Sequence, residues 1–480
     1  MKKTIFLVFL LFLIIGFVFI GYTDNRVIFT IKNSIPIELR LFVKKTLLFP
    51  FYHQSQISEL KKSQNKLNSR TQELENQNQY LVEYLNDLDF IEKKGKNIFL
   101  PKLGESITIK SNNSHKYKFK KFYFALSKPW QYNGRKPGGY LARYENKIFI
   151  LNGEGLIGYF LVNDFNNDFL NFNIIENNFR NIVAADSNIY KKGRSSFRGI
   201  MIVNENIFIS YYKKIKDECY NIGILKSDYN LDTLQFREFF SYDECSKNMS
   251  NHSGGKMIPY NETSFFFTIG DGQLFINAQK DESFFGKIYK INYENSNFEL
   301  VAKGMRDTQG AYWYEKLNSL LLTEHGPKGG DEINILKSEE LNKNINFGWP
   351  ISTYGELGPT PIKENKFTVK DKNNHTPNGF KEPLYWFKGN SVAPSAIINV
   401  DGFKDDFKRD FFMSAMGNVP APGRRAIHHL KFDNKLEKLI YSDIIPIGER
   451  IRDILYVEEE RKIILFLENS PSVAILQNYE

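Results

Sequence analysis

The chain has 480 residues, of which 42% are hydrophobic and 15% aromatic, and its formal net charge is +9. This length suits one large domain with extensions or two to three ordinary domains, and the hydrophobic content excludes an intrinsically disordered chain. The positive charge is spread over lysines along the whole chain rather than concentrated in a dense basic run, so we predict no nucleic-acid partner.

The amino-terminal segment predicts a membrane anchor over residues 1–23. Lys2 and Lys3 precede an uncharged, mostly apolar run from Thr4 to Thr23, which is long enough for a helix that crosses a bilayer. The lysines favour a cytoplasmic amino terminus and an exported remainder, so we predict a single-pass protein of the inner membrane that faces the periplasm or exterior. A cleaved signal peptide is the alternative; the length of the run and the lack of a small-residue cleavage pattern count against it.

Residues 24–95 predict a linker and a coiled-coil-like helix. Leucine recurs every seven positions in a segment without glycine or proline, at Leu60, Leu67, Leu74, Leu81 and Leu88. Such heptad spacing indicates a long helix with an apolar seam, although the other seam positions are mostly polar. Two interpretations stay open: a stalk that joins copies of the chain into a homo-oligomer, or a single helix that lies against the following domain or spans the envelope.

Cys219 and Cys245 are the two cysteines of the sequence, and both have acidic neighbours. In an exported protein a pair in such polar surroundings could close a disulfide. Two unpaired core thiols are the alternative. We predict the disulfide, and the lack of a nearby histidine pair argues against a metal site at these cysteines.

Residues 96–480 predict an all-β domain built from six repeats. Each repeat has an apolar strand, a polar turn and a second apolar strand that ends in small or acidic residues. One apolar marker can be assigned to each repeat: Phe149, Phe208, Phe267, Leu321, Phe412 and Leu465. Their nearly constant spacing predicts one four-stranded blade per repeat, and hence a six-bladed β-propeller. The longer fourth interval predicts an insertion around Leu341–Val392, of the loop type that builds sites on a propeller's rim.

Four short motifs carry a resemblance to a known family. Residues 304–310 read Gly-Met-Arg-Asp-Thr-Gln-Gly, residues 323–332 read Thr-Glu-His-Gly-Pro-Lys-Gly-Gly-Asp-Glu, residues 251–255 read Asn-His-Ser-Gly-Gly and residues 347–350 read Phe-Gly-Trp-Pro. With them the chain resembles the glucose/sorbosone dehydrogenase family over roughly residues 140–475. The resemblance implies a six-bladed propeller of the soluble quinoprotein type, which uses pyrroloquinoline quinone (PQQ) and calcium.

The resemblance implies roles for three residues near the reacting atoms. His252 falls on the family's catalytic histidine, which would take the proton from the anomeric hydroxyl, as an imidazole that titrates near neutral pH can do. Arg306 falls on an arginine that contacts the quinone oxygens and would assist catalysis, and Asp307 stands beside it at the cofactor. From the residues alone, a loop histidine bound to a carbonyl and an arginine in a salt bridge between blades are the alternatives.

The resemblance also implies residues that would hold calcium and the cofactor's carboxylates. Gly326 and Pro327 match positions whose backbone carbonyls bind the calcium ion, and hard cations take oxygen ligands. Arg450 and Arg452 match a pair that holds PQQ carboxylates. Alternate residues of a strand face the same side, so both guanidiniums could reach one ligand together. Two exposed cations on a strand are the alternative.

Three positions depart from the family pattern. Asp307 stands where relatives usually have an asparagine, and a carboxylate there would repel a tricarboxylate cofactor unless calcium or a neighbouring arginine offsets it. Gly417 stands where a cofactor-binding lysine is expected, so Arg424 or Arg425 is a candidate substitute. Arg194 stands where some relatives place a glutamine near the substrate.

The function implied by the resemblance is the oxidation of an aldose at its anomeric carbon to the lactone, in the periplasm. The implied cofactors are PQQ and calcium, and the electrons would pass to an external acceptor. The alternative is a membrane-tethered binding propeller that has lost the cofactor, which the three departures and the anchor-plus-helix architecture support. A calcium-dependent lactonase-like hydrolase has less support, because the sequence shows no suitable cluster of carboxylate ligands.

Overall fold

A computed structural model describes residues 103–123, 138–182 without 154, 197–356, 374–389, 391–418 and 421–479 without 471, together with some positions between 60 and 71 and the pairs 98–99 and 371–372. The chain divides into two compact units, Met1–Asn78 and Gln79–Glu480. The second unit contains the sheets and the candidate site.

Six sheets form the second unit, and we number them as blades I to VI in the order of their innermost strands. From the innermost strand outward, blade I consists of Gly139–Tyr144, Lys147–Asn152, Ile157–Leu161, Phe172–Ile174 and Ile98–Phe99. Blade II consists of Phe197–Val203, Asn206–Lys216, Cys219–Asp228 and Arg237–Phe240. Blade III consists of Gly254–Pro259, Ser264–Ile269, Lys287–Asn292, Phe298–Lys303 and Ile345–Asn346.

The other three blades follow the same plan. Blade IV consists of Thr308–Tyr314, Ser319–Glu324, Glu332–Lys337 and Tyr385–Trp386. Blade V consists of Pro394–Asn399, Asp410–Ala415, Ala426–Phe432 and Leu439–Pro446. Blade VI consists of Ile451–Val457, Lys462–Leu467, Ser472–Asn478, Lys116–Tyr123 and Leu103–Lys110.

Short elements connect the blades. Two parallel strand pairs join Glu176–Asn177 to Thr233–Leu234 and Ser352–Thr353 to Asp371–Lys372. One short α-helix spans Phe179–Ile182. The described 3₁₀ turns are Val162–Asn166, Met249–Asn251, Phe275–Gln279, Glu315–Leu317, Ser338–Glu340, Thr376–Asn378 and Glu458–Glu460.

The innermost strands form a closed ring around a central channel. Each of them contacts the innermost strand of the next blade, and Ile451–Val457 of blade VI contacts Gly139–Tyr144 of blade I. Blade VI combines the carboxyl-terminal strand Ser472–Asn478 with the earlier strand Lys116–Tyr123 in an antiparallel pair. The hydrogen bonds of this pair join the two ends of the domain, which leaves few free sheet edges.

Apolar side chains between adjacent blades form the core. Ser264–Ile269 of blade III and Ser319–Glu324 of blade IV are buried at every position. Blades II and III meet through aromatic pairs such as Phe208 and Phe265, whose ring centres are 5.5 Å apart. Both faces of a blade are covered by its neighbours, which explains why these strands have apolar residues in succession rather than in alternation.

The predicted six-bladed propeller is confirmed. All six apolar markers lie on the second strand of their blades, from Phe149 in blade I to Leu465 in blade VI. The predicted insertion Leu341–Val392 lies between the third strand of blade IV and the first strand of blade V. It contributes the last strand of blade IV and the strand that extends blade III in parallel.

The first unit leaves the membrane and stalk predictions open. The predicted anchor over residues 1–23 lies outside the described residues, as do the last three heptad leucines. The described positions between Leu60 and Thr71 are helical, and the side chains of Leu60 and Leu67 are 68% and 65% exposed. Within the described part of the chain, no helix is both long and apolar enough to cross a bilayer. The anchor and the heptad stalk therefore stay predictions.

The predicted disulfide is confirmed between Cys219 and Cys245, whose Cα atoms are 5.4 Å apart. It joins the start of the third strand of blade II to the segment that follows the same blade. The adjacent residues Tyr220 and Ser246 also pair through their backbones. The disulfide therefore fixes the start of the segment that leads to His252.

Candidate active site

The site residues lie at one end of the central channel, where the inner strands of the blades begin. His252 precedes the inner strand of blade III, Arg306 and Asp307 precede that of blade IV, and Arg450 precedes that of blade VI. Hydrogen bonds join these strand starts: for example, the Gly254 amide donates to the Asp307 carboxylate at 3.1 Å. The fold therefore brings residues that are far apart in sequence to one place.

His252 forms a pair with a buried carboxylate. The side chain of His252 is nearly buried, and its Nδ1 lies 2.7 Å from Oδ1 of the fully buried Asp271. The Asp271 carboxylate also accepts hydrogen bonds from the Trp349 indole and from the Gln273 backbone amide, both at 2.7 Å. The ring of Phe275 stacks against the imidazole at 6.0 Å. A carboxylate that accepts from Nδ1–H favours the tautomer whose Nε2 has a free lone pair, so this histidine can accept a proton there.

Arg306 lies between Trp349 and a backbone carbonyl. Its Nη1 donates to the carbonyl of His325 at 2.6 Å, and its guanidinium carbon lies 5.4 Å from the centre of the Trp349 ring. Its Nε is buried and has no hydrogen-bond partner among the described residues, and no ion pair of Arg306 is found within that part of the chain. The salt bridge between blades, open from the sequence, is therefore not observed. A buried unpaired N–H costs free energy, so a ligand oxygen would be stabilised at this atom.

Asp307 is buried and is held by the protein itself. It is 3% exposed, it accepts a hydrogen bond from the Gln309 side-chain amide at 2.6 Å, and its Oδ2 lies 3.6 Å from Nδ1 of His325. Burial raises the pKa of Asp307, but the neighbouring His325, His252 and Arg198 more than offset that effect and lower it. The carboxylate is therefore charged, and the Arg198 guanidinium together with the hydrogen bonds from Gly254 and Gln309 compensates part of that charge inside the protein. Repulsion of an anionic cofactor is smaller than the sequence alone suggests.

Arg450 and Arg452 converge on one buried carboxylate. Nε of Arg450 lies 2.8 Å from Oε2 of Glu468, and Nε of Arg452 donates to Oε1 of the same residue. Burial raises the pKa of Glu468, but the two arginines lower it to about 2. Both arginine side chains are only about a tenth exposed, so the alternative of two exposed strand cations is wrong. Two guanidiniums against one carboxylate leave one positive charge in excess.

Gln309 connects the part of the site around Asp307 to the pair formed by Arg450 and Arg452. Its amide nitrogen donates to Asp307, and its amide oxygen accepts from Arg198 at 2.7 Å and from Arg452 at 3.4 Å. A continuous series of polar contacts thus runs from the side of His252 to the arginine pair. The sequence did not identify Gln309 or Arg198 as site residues, because most of their partners come from other blades. Arg194 lies outside the described residues.

The carbonyl turn at Gly326 and Pro327 is closed by its own hydrogen bonds. The Gly326 amide donates to the Asp331 carboxylate at 3.1 Å, and the Gly330 amide donates to the Pro327 carbonyl at 2.8 Å. A Cβ atom on Gly326 would lie 1.8 Å from the Gly330 carbonyl oxygen, so only glycine fits. A carbonyl oxygen has two lone pairs, and that of Pro327 therefore retains one for a cation. Within the described residues, no three acidic, histidine or cysteine side chains form a metal cluster, so a calcium ion here would depend on backbone oxygens and on its ligand.

A small cavity lies beside this turn. Its volume is about 20 Å³, which is enough for one water molecule or one ion, and its lining includes Gly326, Pro327, Arg306 and Glu324. Burial raises the pKa of Glu324 to about 8. The Glu324 carboxylate accepts from the Arg306 amide at 2.9 Å and from the Thr308 hydroxyl at 2.6 Å, so it orders the start of the inner strand of blade IV.

Gly417 is required by the shape of its loop. Its amide donates to the Arg424 carbonyl at 2.6 Å, and a Cβ atom on Gly417 would lie 2.6 Å from Cβ of Arg424. A lysine therefore cannot occupy this position without a shift of the backbone. The Arg425 guanidinium donates to the Asn418 carbonyl at 2.7 Å, and the Asn418 side chain accepts from Arg450 at 2.7 Å. Of the two candidate substitutes, Arg425 is therefore joined to the arginine pair through Asn418.

Two carboxylates that complete the site were not identified from the sequence. Glu468 is the first residue after the second strand of blade VI, and Asp271 is the second residue after that of blade III. The repeat pattern carries a signal for them, because the second apolar strand of each repeat ends in small or acidic residues. An alignment of the six repeats at that position would have selected both carboxylates, together with Glu324.

The sequence of this chain is similar to a known protein family and to curated proteins. The model of the family described as "Glucose / Sorbosone dehydrogenase" matches residues 180–476. The aldose sugar dehydrogenase YliI of Escherichia coli (strain K12) is 28% identical over 180 residues, which are 35% of this chain and 45% of that protein. An uncharacterized protein of Synechocystis sp. is 25% identical over 252 residues, 47% of this chain and 56% of that protein. The chain thus matches about half the length of these curated relatives.

Solved structures show the same fold. The soluble aldose sugar dehydrogenase of Escherichia coli in its apo form has a TM-score of 0.55 at 17% identity and covers 73% of this chain and 99% of its own. The PQQ-bound aldose sugar dehydrogenase of Streptomyces coelicolor has a TM-score of 0.50 at 14% identity and covers 73% of this chain and 97% of its own. At these identities the likeness establishes the propeller and nothing finer.

Proposed function

We propose, because this chain belongs to the glucose/sorbosone dehydrogenase family, that it oxidises an aldose at its anomeric carbon to the lactone with PQQ and calcium as cofactors. The observation that carries the proposal is the pair of His252 and Asp271 at the channel end that also holds Arg306, Arg450 and Arg452. The reaction needs a base for the hydroxyl proton and positive charge for the anionic reduced quinone. Both requirements are met at one place.

His252 would act as the base. Its Nε2 would accept the proton of the anomeric hydroxyl, and the Asp271 carboxylate would stabilise the imidazolium that forms. The rings of Trp349 and Phe275 contact the pair, and such apolar surroundings lower the local dielectric constant and strengthen the attraction between imidazolium and carboxylate. Without the carboxylate, part of the population would carry its proton on Nε2 and could not act as a base.

The residues present fit the cofactors. When bound, PQQ would supply the hydride acceptor. Arg306 would offer its unpaired Nε to a quinone oxygen, Arg450 and Arg452 would hold carboxylates with their excess positive charge, and the carbonyls of Gly326 and Pro327 would hold calcium. A polyanionic ligand would offset the excess charge that the protein leaves at this end of the channel.

We also propose that residues 1–23 anchor the protein in the inner membrane and that the propeller faces the periplasm or exterior. The disulfide between Cys219 and Cys245 supports export, because such bonds persist in oxidising compartments. An external electron acceptor would reoxidise the cofactor, and the heptad segment would join copies of the chain into a homo-oligomer. Cross-linking of the detergent-solubilised protein tests the oligomer.

Titration of PQQ and calcium into the full-length protein in detergent tests the proposed function. We expect stoichiometric binding, followed through the quinone absorbance, and bleaching on addition of aldoses with a redox dye. His252→Ala should retain binding and lose dye reduction, and His115→Ala, which changes an exposed histidine, should retain both. Failure of the native protein to bind PQQ would contradict the proposal and favour a binding propeller without the cofactor.

A further inference from the structure

Arg198 adds a cation to the channel end that no part of the proposed function uses. It is the second residue of the inner strand of blade II. Its Nη2 donates to the side-chain oxygen of Gln309 at 2.7 Å, its Nε lies 3.4 Å from the Gly254 carbonyl, and its guanidinium lies 5.9 Å from the ring centre of Tyr212. These contacts hold the guanidinium in place without a salt bridge to a described carboxylate.

Two guanidiniums share one neutral oxygen atom at this point. Arg452 also donates to the side-chain oxygen of Gln309, at 3.4 Å. Like charges repel each other; Asp307 and Glu468 are close enough to Arg198 to offset part of this repulsion, and a further anion would offset more of it. The nearest carboxylates already have partners: Asp307 accepts from Gln309, and Glu468 pairs with Arg452 and with the second arginine of its strand.

An unpaired hydroxyl lies in the same place. The Tyr140 hydroxyl is buried and has no hydrogen-bond partner among the described residues. The strand that carries Tyr140 contacts the two inner strands that carry Arg198 and Arg452, and the hydroxyl interacts electrostatically with both guanidiniums. Two cations and an unsatisfied hydroxyl together form a site for an oxygen anion, since each buried donor gains a charge-assisted hydrogen bond there.

The charge count also favours a further anion. The four arginines Arg198, Arg306, Arg450 and Arg452 lie at the channel end with the carboxylates of Asp307, Glu468 and Asp271, so the cations outnumber the carboxylates by one among these described residues. Partly buried charge without a counter-ion is costly, and a ligand with several carboxylates would offset it. Such a ligand would therefore be stabilised at this end of the channel.

We propose that Arg198 is a further cofactor-binding residue, which holds a carboxylate of PQQ together with Arg452 and the Tyr140 hydroxyl. The inference rests on the proposed function and adds to it a residue that the sequence did not identify. Arg198 also offsets part of the charge of Asp307 through Gln309, so the cofactor is accepted despite a carboxylate at that position.

Equilibrium binding of PQQ to full-length variants tests this proposal. The dissociation constant is measured at a fixed calcium concentration from the quinone absorbance, without any sugar. Arg198→Gln removes the charge and keeps an amide that can still donate to Gln309, Arg198→Lys keeps the charge, and Arg143→Gln changes a partly exposed arginine that pairs with Glu459. The unfolding temperature of each variant shows that the fold is retained.

We expect Arg198→Gln to weaken PQQ binding by roughly 10- to 100-fold, the range for loss of one hydrogen bond to a charged group. Arg198→Lys should stay within about fivefold of the native protein, because lysine keeps the charge but loses the planar fork. Arg143→Gln should bind as the native protein does. Native affinity in Arg198→Gln, or equal losses in the glutamine and lysine variants, would overturn the inference and leave the proposed function intact. Lack of PQQ binding by the native protein would overturn both.

Discussion

Replacement of Asp271 by asparagine is the sharpest test of the proposed base. The carboxylate accepts three hydrogen bonds: from Nδ1 of His252 and the Gln273 amide on Oδ1, and from the Trp349 indole on Oδ2. An asparagine has one oxygen acceptor and one amino donor. If its oxygen faces His252, its amino group meets the indole N–H. If it turns around, the imidazole must accept at Nδ1, and its proton moves to Nε2, where it blocks the base.

In either orientation the asparagine amino group therefore faces another buried donor, which is the Trp349 indole in the first case and the Gln273 backbone amide in the second. A buried polar group without its partner costs about 1–3 kcal/mol, so the free energy of unfolding should fall by that amount. Loss of the carboxylate charge and of the correct tautomer should lower kcat/KM for the aldose by about 10²- to 10⁴-fold. PQQ binding should change by less than about threefold, because Asp271 does not belong to the proposed cofactor contacts.

The assay is dye-linked oxidation of an aldose by the PQQ-loaded protein, with urea unfolding in parallel. The double variant Asp271→Asn/Trp349→Phe provides the matched control, since phenylalanine removes the opposing indole donor and lets the asparagine oxygen face His252. It should recover the stability of the Trp349→Phe single variant and about 10-fold in rate over Asp271→Asn, because the tautomer returns but the charge does not. An activity of Asp271→Asn within about threefold of native would refute the reasoning.

Three further changes test other contacts. Glu468→Gln should lower the free energy of unfolding at pH 7 by about 3–5 kcal/mol, because two buried arginines lose their counter-charge, and urea titration measures it. Because the fold lowers the pKa of Glu468 from 4.5 to about 2, this stabilisation should be complete above pH 4.5 and disappear as the pH falls to 2, whereas the glutamine variant should lack that step. Joint replacement of Cys219 and Cys245 by serine should cost about 3.5 kcal/mol for their separation of 26 residues, and dithiothreitol should have no effect on this variant. Gly417→Lys should lower the unfolding temperature, because the new Cβ would lie 2.6 Å from Cβ of Arg424. An unchanged unfolding temperature would contradict the conclusion that the loop requires glycine at this position.

The fold could be predicted largely from the sequence. Phe149, Phe208 and Phe267 recur at nearly equal intervals because each lies on the second strand of a blade, and both faces of that strand are buried by neighbouring blades. The repeat therefore reflects a packing requirement that is the same in every blade. The closure of blade VI by Lys116–Tyr123 and Leu103–Lys110 could not be predicted, because one strand pair that joins the far end of the domain leaves no periodic signal.

The candidate site could be predicted only in part. His252, Arg306 and the arginine pair belong to motifs and could be selected from the sequence, whereas the carboxylates that orient them could not. Asp271 lies 19 positions from His252, and Glu468 lies 18 from Arg450. Each pair meets because two successive strands of a blade return the chain to the same end of the channel.

The sequence by itself determined the six apolar repeats, the position of the insertion, the cysteine pair and the residue types able to do the chemistry, because burial and reactivity depend on local composition. Only the tertiary structure decided which charges compensate each other. In that structure Asp307 accepts a hydrogen bond from Gln309, and Arg198 and Arg452 both donate to the side-chain oxygen of Gln309. Nε of Arg306 has no partner among the described residues. The physical reason is that electrostatic energy depends on the distance between charges in space. In a closed ring of blades, the charges that lie close together come from residues that are remote in the chain.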